Sequence, residues 1–152
     1  MMPPGDELRQ EHRHLVSSLD ALECALSFQE EAWFALREMS FNLSKAVRRH
    51  LLQEERILTL VGAKELVEGL AQAGASHRHA STQLRVINRY FTEEPRHSLR
   101  RIGPLLSAMI HDLRRTIHAQ DDVLRAMQPD SRDPAGLAPV WEFGRGGVYV
   151  AE

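Results

Sequence analysis

In AVRRHLLQEERIL, residues 46–58, a histidine and a glutamate stand four positions apart, at His50 and Glu54. That spacing puts two side chains on one face of a helix, and the apolar residues around them share the face. At about 100° per residue, Leu36, Met39, Leu43, Ala46, Val47, Ile57, Leu58 and Val61 form one stripe with His50 and Glu54 in its middle. An ionised carboxylate leaves water at high cost unless a partner compensates it, so the chain must bring positive charge to Glu54. Two more histidines fit the same description. His12 lies between Leu8 and Leu15 on the apolar stripe of an earlier segment, with His14 turned away, and His77 lies between Ala73 and Leu84 on a later one, with His79 turned away. Three imidazoles and a carboxylate are a donor set for a borderline or hard divalent cation, and facing helices of a bundle assemble such sets. A cation held by His12, His50, Glu54 and His77 would account for the buried glutamate. If that cation is the glutamate's sole partner, Glu54→Gln is expected to weaken metal binding and leave the metal-free fold no less stable.

These side chains need helices that meet at one level, and the sequence offers four. The first spans about Asp6 to Phe28, with Asp6 as its N-cap and Leu8, Leu15, Val16, Leu19, Leu22 and Leu26 inward. The second runs from about Glu31 to Leu60 and stops before Gly62, a suitable left-handed cap. The third lies within Lys64 to Phe91, with Leu66, Leu70, Ala73, Ala80, Leu84, Ile87 and Phe91 inward; Gly69 and Gly74 weaken its first half, so regular helix is expected from near Ser76. The fourth follows TEEPRHS and runs to about Met127, with Pro104 in its first turn and a stripe of Ile102, Leu106, Met109, Leu113, Leu124 and Met127. No strand alternation occurs and the connections are short. The expected fold is all-α, an antiparallel up-down-up-down four-helix bundle over residues 1–128 with a non-helical tail over 129–152. Trp141, Phe143 and Tyr149 suggest that the tail docks on the bundle or on a partner. Counted from the connections, His12, His50 and His77 differ in level by three or four residues between neighbours, which at a rise of about 1.5 Å per residue keeps them within about 6 Å in height. They belong to one layer.

The motifs EHRHL around His12, HLLQEERIL around His50 and Glu54, and ASHRHASTQL around His77 come in an order that resembles the hemerythrin-like, or HHE cation-binding, domains over roughly residues 6–128. The resemblance implies a four-helix bundle around non-haem iron, usually two ions bridged by carboxylates, used for dioxygen binding, oxygen or redox sensing, peroxide chemistry or iron sensing. The chain departs from that pattern twice. Ser81 stands where a second histidine of the third helix would fall. On the fourth helix, His118 and Asp122 have the spacing of a ligand pair but share a solvent-facing phase with Arg100, His111, Arg114 and Arg125; only a π-type irregularity would turn them inward. Aligning RRHLLQEERIL (48–58) with RRTIHAQDDVL (114–124) sets Thr116 against His50 and Gln120 against Glu54, both expected inward. With a hydroxyl and an amide in those places, the site is expected to hold one iron ion, or another divalent metal, rather than two. Its ligands would be His12, His50, Glu54 and His77, with Gln120 a weaker ligand or a hydrogen-bond donor.

The remaining features bound the function. A chain of 152 residues makes one domain, and a net charge of -2 gives no electrostatic case for nucleic acid. One cysteine, Cys24, rules out an intrachain disulfide, and MMPPGDEL lacks the basic and apolar regions of a leader. No apolar run approaches the roughly 18 residues of a membrane span, so a cytoplasmic protein without a membrane partner is expected. The gap left by the fourth helix gives room for dioxygen or peroxide. Oxygen, redox or iron sensing or handling is therefore the first reading. Its rivals are a mononuclear metal-dependent enzyme acting on peroxide or dioxygen, and a metal-free helical interaction module that meets a protein partner or a second copy through the tail or the fourth helix.

Overall fold

Leucine and isoleucine recur at three- and four-residue spacing through most of the chain, and the computed structural model shows those stretches as helices. It describes residues 4–60, 64–93 and 99–126. Helix α1 covers Pro4–Leu26, α2 Trp33–Leu60, α3 Lys64–Glu93 and α4 Leu99–Ala126, with a 3₁₀ turn at Gln29–Ala32. No strand occurs among the described residues, and no helix there is long and apolar enough to cross a membrane. The expected tail over 129–152 and the cap at Gly62 lie outside the described residues.

Each helix packs on the next, and α4 closes against α1. Side-chain pairs run in opposite chain directions between neighbours. Glu7 and Glu11 of α1 meet Gln53 and His50 of α2. Ser40 and Glu54 of α2 meet Asn88 and His77 of α3, and His12 and Asp20 of α1 meet Asp121 and Arg114 of α4. Four helix faces therefore converge on a shared interior, the arrangement of a four-helix bundle.

Several boundaries differ from those the periodicity suggests. Helix α1 begins at Pro4 rather than Asp6, because a proline has no N–H to lose in the first turn and its fixed φ suits it; Asp6 and Glu7 then oppose the positive helix end. It ends at Leu26 rather than Phe28. Ser27 and Phe28 N–H turn back to the carbonyls of Cys24 and Ala25, and Gln29 takes a left-handed φ of 56°, so α2 starts only at Trp33. Helix α3 is regular from Lys64, well before Ser76. Its glycines face neighbours closely: a Cβ on Gly69 would lie 2.8 Å from Val123 Cγ1 of α4, and one on Gly74 would lie 3.5 Å from Glu54 Oε1 of α2. The propensity cost of about 1 kcal/mol per glycine is thus offset by close helix packing. In α4, which starts at Leu99, Pro104 sits past the first turn and faces solvent.

The main apolar cluster joins Leu15, Leu19 and Leu22 to Leu36, Leu43 and Val47, to Leu84, Ile87 and Phe91, and to Ile102, Leu106 and Leu113. Trp33 closes one end, edge-on to Phe91 at 5.7 Å between ring centroids. Leu8, Ile57, Ala73 and Leu124 are also buried but stand outside that cluster. Between the two apolar groups along every helix lies a layer of polar side chains.

Candidate metal centre

The layer takes one or two residues from each helix: His12 from α1, His50 and Glu54 from α2, His77 from α3 and Gln120 from α4, none more than 2% exposed. All are held inward by helical phase, at positions flanked by the leucines, valine and alanines of each stripe. His12 Nε2 faces His50 Nε2 at 3.2 Å. His50 Nε2 also lies 3.0 Å from Glu54 Oε2, His77 Nδ1 donates to the same oxygen at 2.7 Å, and Gln120 Nε2 donates to it at 2.7 Å. Donor atoms of His12, His50 and Glu54 all fall within 4.8 Å of one another. The His77 ring stands beside them, its centroid 5.0 Å from that of His50.

Two carboxylates at the margin of the layer complete it, and periodicity does not reveal either. Glu11 Oε1 accepts from His50 Nδ1 at 2.8 Å, and Asp121 Oδ1 accepts from His12 Nδ1 at 2.5 Å. Both acids are only partly buried, at stripe edges where phase does not decide between inside and outside. Each one fixes the ring it touches: a histidine that donates Nδ1–H outward presents Nε2 inward, the usual arrangement behind a metal-ligating imidazole.

The charges of the layer are coupled. Burial opposes protonation of His50, but its hydrogen bonds to Glu11 and Glu54 overcome that cost and raise its pKa to about 9. Burial likewise opposes ionisation of Glu54, and His50 and His77 overcome it, lowering the carboxyl to about 2. At His77 burial prevails, helped by the neighbouring imidazoles, and the pKa falls below its ordinary value despite Glu54. Glu54 therefore has protein partners: His50, His77 and Gln120 surround one of its oxygens. This corrects the expectation that only a metal compensates it, and with it the expectation that Glu54→Gln is harmless to the metal-free fold.

The other residues singled out by sequence divide clearly. His14, His79, His111, His118 and Asp122 are exposed, and Asp122 pairs with Arg125 at 3.0 Å. Helix α4 is α-helical throughout, without the irregularity that would turn His118 and Asp122 inward. Thr116, expected to face inward, is only half-buried and turns its hydroxyl back to the Asp112 carbonyl at 2.8 Å. Ile117 takes the interior place instead, fully buried, because the inward stripe of α4 passes through Leu113, Ile117, Gln120 and Leu124.

The sequence pattern of the Hemerythrin HHE cation binding domain matches residues 4–127. The chain belongs to that family. No curated protein and no solved structure matches it.

The donor set of this HHE domain fits a cation. Five buried side-chain atoms among the described residues lack a hydrogen-bond partner, and three of them, Glu54 Oε1, His77 Nε2 and Gln120 Oε1, belong to the layer. Buried polar atoms are nearly always paired. With Nδ1 of His77 and Nε2 of Gln120 already donating, each of these three atoms is left with only lone pairs to offer. Lone pairs left without donors, on side chains that surround the His12, His50 and Glu54 ligand group, suit a cation.

Proposed function

We propose that the domain holds one non-haem iron ion, or another divalent cation, through His12, His50 and Glu54, with His77 and Gln120 as the further donors, and that it serves in oxygen, redox or iron sensing. The observation that carries this reading is the buried group of His12, His50 and Glu54, whose ligand atoms lie within 4.8 Å of one another, inside a domain of a cation-binding family. When bound, such a metal supplies Lewis acidity and one-electron redox chemistry. The protein's own part is to orient the rings through Glu11 and Asp121, to hold negative charge on Glu54, and to shut water out with the surrounding stripes.

One ion per chain is favoured by charge. Among the described residues Glu54 is the sole carboxylate in the interior of the layer, since Glu11 and Asp121 are engaged on the outer ring nitrogens, and α4 contributes a neutral amide. Two divalent charges in a dry interior need more anionic ligands than that. Metal analysis of protein expressed with iron present tests the reading: about one ion per chain is expected, and two would overturn the stoichiometry. A chain that retains no metal would favour the metal-free interaction module instead, a reading supported by the fact that His50 already compensates Glu54.

A further inference from the structure

A groove of about 670 Å³ runs along the outside of the bundle between α2 and α3. Leu51, Leu52 and Ala71 give it apolar walls, and Arg48, Arg78 and Arg85 add their aliphatic stems and their charges. Leu52 is 67% exposed there. Arg48 donates to Ser44 at 3.1 Å, and among the described residues neither Arg78 nor Arg85 forms an ion pair. An isolated exposed leucine is ordinary on a protein surface. One that stands in a groove beside unpaired cations fits a partner that brings apolar groups and negative charge together.

The chain carries that combination in its own segment 129–152. There Asp130, Asp133, Glu142 and Glu152 outnumber Arg132 and Arg145, and in LAPVWEF, residues 137–143, Glu142 stands between Trp141 and Phe143. Large aromatic side chains are the usual anchors of a docked segment, and a guanidinium accepts both a ring face and a carboxylate. Reach favours the same choice. Helix α4 ends at Ala126, close to where Val123 packs on Gly69 of α3. Gly74, on the groove's wall, is five residues further along α3, about 7.5 Å at the helical rise. Residues 127–139 extend to more than about 40 Å, ample to round α3. A tether of that length holds its segment at an effective concentration of order millimolar, far above that of a second copy in dilute solution.

We infer that the groove between α2 and α3 is the docking site of the chain's own segment 137–143, with Trp141 and Phe143 on Leu51 and Leu52 and Glu142 on Arg78 and Arg85. The inference stands on the groove, the charges and the tether, and does not require the metal.

Two measurements on the full chain test this. In Trp33→Phe, Trp141 is the sole tryptophan; its emission is expected to be blue-shifted and shielded from acrylamide, and to become that of a free indole when Leu52→Asp is added. With Trp33 intact, trypsin is expected to cut after Arg145 at least about tenfold more slowly in the parent than in Leu52→Asp, since cleavage follows the population of the open form. The exposure of Leu52 keeps that substitution out of the core, and an unchanged helical melting curve checks it. Charge reversal supplies the specific signature: Arg78→Glu with Arg85→Glu, and Glu142→Arg alone, should each speed cleavage, and the three changes together should restore protection. Protection should not depend on protein concentration. Trp141 as open to quenching in the parent as in Leu52→Asp, equal cleavage after Arg145 in both, or no rescue by the charge swap would overturn the inference. So would protection that grows with concentration, which would seat the segment on a second copy.

Discussion

Single side chains decide whether the layer holds a cation. His12, His50 and His77 are buried, while His14 and His79, two positions from His12 and His77, are exposed. Alanine at any of the first three should strip metal from the desalted protein, and alanine at His14 or His79 should leave the metal content unchanged; equal losses in both groups would refute the assignment. Asp121→Asn should lower affinity by about 10–100-fold by releasing the His12 ring, whereas Asp122→Asn, on an exposed pair, should not. Protonation gives a second test. His50 is raised from 6.5 to about 9, so its contribution to the metal-free fold is whole below about pH 6.5 and is lost as pH rises through 9. Glu54 is lowered from 4.5 to about 2, so its contribution is whole above pH 4.5 and is lost as pH falls through 2. Urea unfolding of the metal-free protein should therefore show a decline from about pH 6.5 toward pH 9, with the lowered pKa of His77 eroding stability as pH falls below 6.5, and Glu54→Gln should shrink the decline on the alkaline side. At this scale the sequence is readable where phase is decisive, as for the three inward histidines and the outward His118. Glu11 and Asp121 are not readable, since a long side chain at a stripe edge reaches inward or outward according to its neighbour.

Helices are legible wherever the apolar stripe is dense, and their ends are not, because the turn after Leu26 depends on carbonyls of the preceding turn and on one left-handed residue, Gln29. The first half of α3 escapes sequence reasoning for a related reason. Intrinsic propensity counts a glycine only as a loss, while tertiary packing uses the missing side chain to bring α3 against α4. Gly69 shows the consequence. Its Cβ would stand 2.8 Å from a methyl of Val123, and a β-branched neighbour in a helix has one strongly preferred rotamer and no easy retreat. Gly69→Ala should cost about 1–3 kcal/mol by overpacking, in spite of alanine's higher helix propensity, and Val123→Ala in the same chain should recover most of it. Denaturant midpoints of the two single variants and the double variant measure this coupling; a stabilised Gly69→Ala would show that the contact is loose.

At the scale of the whole molecule, four periodic segments with short connections are enough to specify a bundle, but periodicity carries no information about how its interior is partitioned. The large cluster from Leu15 to Ile117 lies on one side of the histidines, and Leu8, Ile57, Ala73 and Leu124 lie on the other. Hydrogen exchange on the metal-free protein should find amides around Leu8, Ile57 and Leu124 opening at lower free energy than those around Leu19, Leu43 and Leu106, with the gap narrowing on metal loading; uniform protection would contradict it. A polar belt across a core interrupts the continuity on which all-or-none unfolding depends. The lifetime of a bound ion is then governed by how often the smaller end unzips, so Leu8→Ala or Leu124→Ala should hasten its escape to a chelator even under conditions where the larger end stays folded.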